Sequence, residues 1–120
     1  MPVIKTLPLV VASSISVGIG ATSAYYGVDV ADYISAGLSL DVIINPIASG
    51  TLYLKLYGCN DSSYSTNQKF DIFTVPLTAA NPRTHISLRC LEFRNMVLRV
   101  VNSTTYSLTF SASLVGVRLS

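Results

Sequence analysis

The sequence predicts an all-β protein: an antiparallel β-sandwich or jelly roll of about seven to eight strands, with an extended N-terminal arm. Three observations carry that expectation. Apolar residues recur at every second position along most of the chain, the period of a strand with one buried face. The alternating runs are short and bounded by Gly, Pro, Asn and Ser. No window of helical length shows an apolar helical stripe. The 120 residues suit one domain, with an arm over 1–14 and a single sandwich domain over 15–120.

The arm, "MPVIKTLPLVVASS", contains two prolines, and Pro8 belongs on an edge strand or an extended segment. It runs along its own sheet or along a neighbouring subunit, and removing Pro2–Ser14 is expected to leave the sandwich folded. The same region also fits a secretory leader, with Lys5 as the basic part, Leu7–Ile19 as the apolar part and "ATSA" as the cleavage motif. A secreted location is the alternative that follows.

Ile15, Val17, Ile19 and Ala21 alternate with Ser16, Gly18, Gly20 and Thr22 as the first strand of the domain. Leu38, Leu40, Val42 and Ile44 form another. "NPIASG" is a turn, and Leu52, Leu54 and Leu56 follow, so the two runs predict a β-hairpin. "GCNDSSYSTNQK" (58–69) is an exposed polar loop. "FDIFTVPL" (70–77) is apolar on both faces and predicts a central or covered strand. "HISLRCLEF" (85–93) is the next strand. Met96, Leu98 and Val100 alternate with Val97, Arg99 and Val101, "NSTT" (102–105) is a turn, and the last strand runs from Tyr106 to Leu119. In it Leu108, Phe110, Ala112 and Leu114 share the core face. Ser107, Thr109, Ser111 and Ser113 share the other, an uncharged face of small hydroxyls suited to close approach by another sheet.

Composition narrows the function. Half the residues are hydrophobic and 12% are charged, with a mean hydropathy of +0.52. An ordinary soluble domain carries about twice that charge. The longest charge-free stretch, Thr6–Val28, is broken by Pro8, Ser13, Ser14, Gly18 and Gly20, so it does not make a membrane helix. A protein whose surface is covered by partners remains. A net charge of +2 does not argue for nucleic acid. The cations change type along the chain: Lys5 and Lys55 come early, while Arg83, Arg89, Arg94, Arg99 and Arg118 come late against Glu92 alone. They are either scattered solvated charges or forks for carboxylates at an interface.

Catalytic and metal chemistry find little support. Cys59 and Cys90 lack metal-ligand spacing, and Cys90 sits in an apolar alternation as a small core residue. Whether the two pair is left open. His85 is the single histidine and opens a strand, and no serine lies in a nucleophile-elbow context. "DVAD" (29–32) and "NDSS" (60–63) are thin as calcium loops. The expectation is a non-enzyme with no cofactor and no metal. Asn60 and Asn102 each open a short glycosylation sequon, which matters only in a secreted eukaryotic protein. Tyr53 and Tyr57 share the outward face of one strand, and Tyr64 lies in the adjoining loop. They read as a protein interface, as cross-strand pairs or as a sugar-stacking platform, and the lack of tryptophan counts against the last.

A Ser/Gly/Ala-rich first strand leading into "YYGVDVADY" (25–33), "LSLDVIINPIASGTLYLKLYGCND" (38–61), "LRVVNSTT" (98–105) and "LTFSASLVGVRL" (108–119) together resemble the small β-sandwich virion proteins of tailed bacteriophages, especially head decoration (cement) proteins. The resemblance covers about residues 15–119. It implies a structural particle component that forms homo-oligomers, trimers above all, and clamps the major capsid protein or another virion protein at the capsid surface. The alternatives are a tail, neck or fibre module and a carbohydrate-binding β-sandwich module. The resemblance also implies a contact role for an N-terminal arm, which here selects Val3, Ile4, Lys5, Leu7 and Pro8. Tyr53, Tyr57, Tyr64, Arg83, Arg94, Arg99 and Arg118 are the other candidate partner-binding residues. No nucleic-acid or membrane partner is expected.

Overall fold

The computed structural model describes residues 3–60, 68–77, 82–89 and 94–119. The described residues form nine strands: β1 (Val3–Lys5), β2 (Leu9–Val17), β3 (Tyr26–Asp29), β4 (Ser35–Ile44), β5 (Gly50–Cys59), β6 (Gln68–Val75), β7 (Arg83–Arg89), β8 (Asn95–Thr104) and β9 (Leu108–Leu119). They form two antiparallel sheets. The first is ordered β1/β2–β9–β4–β7, with β1 and β2 successive along one edge of β9. The second is ordered β3–β8–β5–β6. From β2 onward each strand crosses to the other sheet, except that β5 and β6 are paired neighbours in the second; β2–β9–β4–β7 over β3–β8–β5–β6 is the jelly-roll arrangement.

Period-two alternation builds the core. Leu38, Leu40, Val42, Phe110 and Leu114 point inward from the first sheet, and Leu52, Leu54, Leu56, Leu98 and Val100 from the second, all essentially without exposure. Each such side chain contributes about 1.5–3 kcal/mol of burial.

The predicted hairpin between the runs at 38–44 and 52–56 does not form. β4 pairs with β7 and β9, whereas β5 pairs with β6 and β8. The two strands face each other across the core, and "NPIASG" carries the chain from one sheet to the other. Its turn is built as its residues suggest. Asn45 Oδ1 accepts the Ile47 N–H, the Ala48 N–H donates to Asn45 O, and Gly50 takes φ +100. A Cβ on Gly50 would lie 2.5 Å from Ser103 O, so both conformation and space require glycine there. A short link leaves both pairings open, and two one-sided apolar strands satisfy either.

Three further expectations are corrected. The 70–77 strand is an edge, not a central strand, among the described residues: β6 ends the second sheet there, with Ile72 and Thr74 exposed. The first strand of the domain stops at Val17, and Ile19 is 64% exposed in a turn closed by Ala21 N–H to Gly18 O. Residues 102–104 extend β8 instead of turning, because Asn102 is wholly buried. Its Nδ2 reaches the carbonyls of Val17, Gly18 and Tyr106, and its Oδ1 accepts from Thr104 N–H and Oγ1–H. This side chain ties the end of β2 to the second sheet. Burial also closes its sequon to modification in the folded chain.

The N-terminal segment lies along its own sheet. Val3, Ile4 and Lys5 stand opposite Leu119, Arg118 and Val117, and Thr6 N–H donates to Gly116 O. Pro8 sits in the break before β2, where no ladder donor is lost. β2 then runs through the boundary expected at residue 14, with register shifts between Val10 and Ala12 and between Ala12 and Ile15. Ser14 takes φ +49 at the second of these, and its N–H donates to Ser111 Oγ.

Candidate functional site

The outer faces of the two sheets are the surfaces available for function. Each follows from the residues that alternate with the core.

The first sheet turns out small side chains. Across it, Ser16, Thr109 and Ile43 share one row, Ser111, Asp41 and Arg83 the next, Ser113, Ser39 and His85 a third, and Val115, Gly37 and Ser87 a fourth. The serines and Thr109 in the middle strands β4 and β9 are half-buried by their neighbours. The face carries one ion pair among the described residues, Arg83 Nε to Asp41 Oδ1 at 3.2 Å, between side chains 83% and 55% exposed. Such a pair contributes little. His85 lies over Gly37: a Cβ there would approach its Cε1 to 2.9 Å. His85 Nδ1 is 3.2 Å from Ser39 Oγ. This Ser–His contact lacks the orienting carboxylate of a nucleophilic triad, because Asp41 engages Arg83. It is a surface hydrogen bond on a flat strand, away from any strained turn.

One end of the sandwich continues this uncharged character. The links at 18–25, 45–49 and 105–107 contain no Asp, Glu, Lys or Arg. Ile19, Ile43 and Ile47 are 64%, 64% and 72% exposed there. Lys5, Asp29, Asp32, Arg94 and Arg118 lie toward the opposite end.

The second sheet turns out aromatic and cationic side chains. Tyr53, Lys55 and Tyr57 alternate along β5, opposite Val101, Arg99 and Val97 on β8. Arg99 Nε donates to Ser23 O at 3.3 Å and Nη1 to the Tyr25 hydroxyl at 3.2 Å. Its guanidinium carbon lies 4.1 Å from the Tyr25 ring centroid. Tyr57 meets Tyr25 edge to face, with centroids 5.4 Å apart and planes at 86°. Tyr25 was absent from the sequence-based candidates. Its role depends on the link 18–25 running beside β8, which Thr22 pairing with Val101 and Ser23 N–H donating to Val100 O bring about.

The candidate residues therefore divide. Tyr53, Tyr57 and Arg99 share the second face. Arg83 lies on the first. Arg118 is exposed opposite Ile4, at the end where Lys5 also lies. Leu7 is 85% exposed, Pro8 is exposed and Ile4 is half-buried, while Val3 is placed by its backbone pairing alone. Arg94 is exposed at that end, and its N–H donates to Asn60 Oδ1. Tyr64 and Cys90 lie outside the described residues, and Cys59 is buried as the last residue of β5. Asp29 Oδ1 accepts the Ala31 N–H, and among the described residues no three His, Cys, Asp or Glu side chains cluster. No described helix is long and apolar enough to cross a membrane.

Comparison with known proteins adds the fold. No family model matches the chain. No curated protein matches it in sequence either. Solved structures do match. A protein of the Bacillus endospore appendages, a family of disulfide-linked pili, superposes with a TM-score of 0.58 at 12% identity, covering 98% of this chain and 89% of that one. The SPBc2 prophage-derived protein YomS gives 0.50 at 12% identity, covering 97% and 96%. A carbohydrate-binding module, CBM4, gives 0.53 at 9% identity, covering 78% and 61%. At these identities the likeness is one of fold.

Proposed function

We propose that the chain is a structural virion protein, a capsid decoration protein that homo-oligomerises and binds the capsid shell. The observation that carries this reading is the outer face of the first sheet. Its central strands present small hydroxyls and Gly37, with few long or charged side chains to desolvate, and it runs into an uncharged end bearing Ile19, Ile43 and Ile47. Burying such a surface costs little side-chain entropy or charge solvation. Leaving it bare in a chain with 12% charge favours association in any case. The chain shares its fold with a pilus protein and a prophage-derived protein, which adds support of a general kind.

Light scattering on the purified full chain tests the reading. A trimer or larger assembly is expected, and a monomer at micromolar concentration overturns it. Copy number then separates locations: copies spread over the whole shell fit decoration, and a few at one vertex fit a tail, neck or fibre module. A carbohydrate-binding module is the second reading, favoured by the tyrosines of the second sheet.

A further inference from the structure

We propose that the outer face of the second sheet binds an anionic polysaccharide, a chain of pyranose rings bearing carboxylates, through Tyr25, Tyr53, Tyr57, Lys55 and Arg99. Lys55 and Arg99 are direct cross-strand partners. Like charges placed so oppose each other and destabilise the pair. No carboxylate forms an ion pair with either one among the described residues; the ion pair found there, Asp41 with Arg83, is on the other sheet. Two half-buried cations are thus held side by side at a local cost, on the two central strands of the second sheet.

The surroundings are organised for more than charge. Arg99 is fixed by Ser23 O and by the Tyr25 hydroxyl and ring. Tyr57 is set edge-on against Tyr25. Along β5 the order is ring, cation, ring, with about 7 Å between successive outward positions. Pyranose rings present C–H faces that pack on tyrosine and hydroxyls that bond to its O–H. A carboxylate on the same sugar reaches Lys55 or Arg99 with a charge-assisted hydrogen bond.

A protein partner fits this face less well. The centre of a protein interface is depleted of charge and rich in apolar contact, with the polar groups at its rim. Here the cations occupy the centre, and the rings beside them carry hydroxyls. The first sheet presents small hydroxyls along its central strands and one ion pair among the described residues, so the two faces suit different occupants. This site is independent of the virion reading: loss of self-association leaves it standing, and loss of sugar binding leaves the assembly standing.

Affinity electrophoresis of the full chain in gels containing polygalacturonate, heparin, neutral dextran or poly-L-glutamate tests it. Retardation by polygalacturonate and none by dextran is expected. Lys55→Gln and Tyr57→Ala should each weaken retardation by about tenfold, the scale of one lost charge-assisted hydrogen bond or stacked ring. Lys55→Gln should do so with an unchanged or raised melting midpoint, because it relieves the cross-strand repulsion; a merely structural lysine would not separate the two readouts. No retardation by polygalacturonate overturns the proposal. So does equal retardation by poly-L-glutamate that Tyr57→Ala leaves intact, which would mark plain polyanion attraction. Retardation by heparin alone overturns the carboxylate assignment, and retardation by dextran overturns the role of the cations.

Discussion

The outer faces of the two sheets differ in side-chain length, charge and internal bonding, although both are written by the same alternation. On the first sheet, Ser39, Ser111, Ser113 and Thr109 keep the surface low, and His85 folds over Gly37. On the second, Tyr25, Tyr57 and Arg99 brace one another and Lys55 stands beside them. A low, weakly charged surface is cheap to cover with another flat surface. A braced, cationic and aromatic one is prepared for a ligand with charge and ring faces of its own. One small sandwich can therefore carry two unlike surfaces back to back, since the core beneath isolates them.

The largest test concerns what supports the first face. Deleting Pro2–Ser14 removes β1 and most of β2, uncovering the edge of β9 along Leu114 and Ala112 and taking Ala12 out of the core. Several kcal/mol of stability should be lost, or the chain should aggregate through the bared edge. Denaturant unfolding of the truncated chain measures this; unchanged stability would make the segment a dispensable arm. Asn102→Leu comes next. It removes the side chain that joins the end of β2 to β8 and leaves Val17, Gly18 and Tyr106 carbonyls short of a donor, for a loss of about 2–4 kcal/mol in the same experiment.

Smaller effects separate the faces themselves. Ser113→Lys should abolish self-association in light scattering while moving stability by less than about 0.5 kcal/mol. Thr51→Lys, on the second face, should leave association unchanged. If both lysines act alike, the faces are not distinct in function. Arg99→Ala should cost about 1 kcal/mol through its contact with Tyr25 and its bond to Ser23 O, whereas Lys55→Gln should be neutral or stabilising by a few tenths. The smallest change belongs to Asp41→Asn. Its exposed pair with Arg83 should contribute less than about 0.5 kcal/mol and nothing at high salt, as paired melts in low and high salt would show.

Much of this was legible in the sequence where one face of a strand is fully buried. The alternation at Leu38–Ile44, Leu52–Leu56 and Leu108–Leu114 predicts both the strands and the side chains that point out, and so places Tyr53, Tyr57 and the hydroxyls of Thr109, Ser111 and Ser113 on outer faces whatever the pairing. The neighbours of those residues were not legible. Tyr25 completes the aromatic cluster only because the chain after Val17 turns at Gly18–Ala21 and crosses to the other sheet. Nothing in its local pattern marks it.

The chain alone determined the all-β class, the buried layers and the uncharged character of the last strand, because period-two burial is a local property repeated along each run. Tertiary structure decided the rest. It set β4 and β5 across the core instead of side by side, put β6 at an edge, and laid residues 3–17 along β9. It also recruited Asn102 from an apparent turn into the core. Each of these depends on which backbone edge a strand finds, and main-chain hydrogen bonds are alike at every residue. Sequence fixes what a strand must bury, while the choice of neighbour comes from satisfying all the edges and both faces of the sandwich at once.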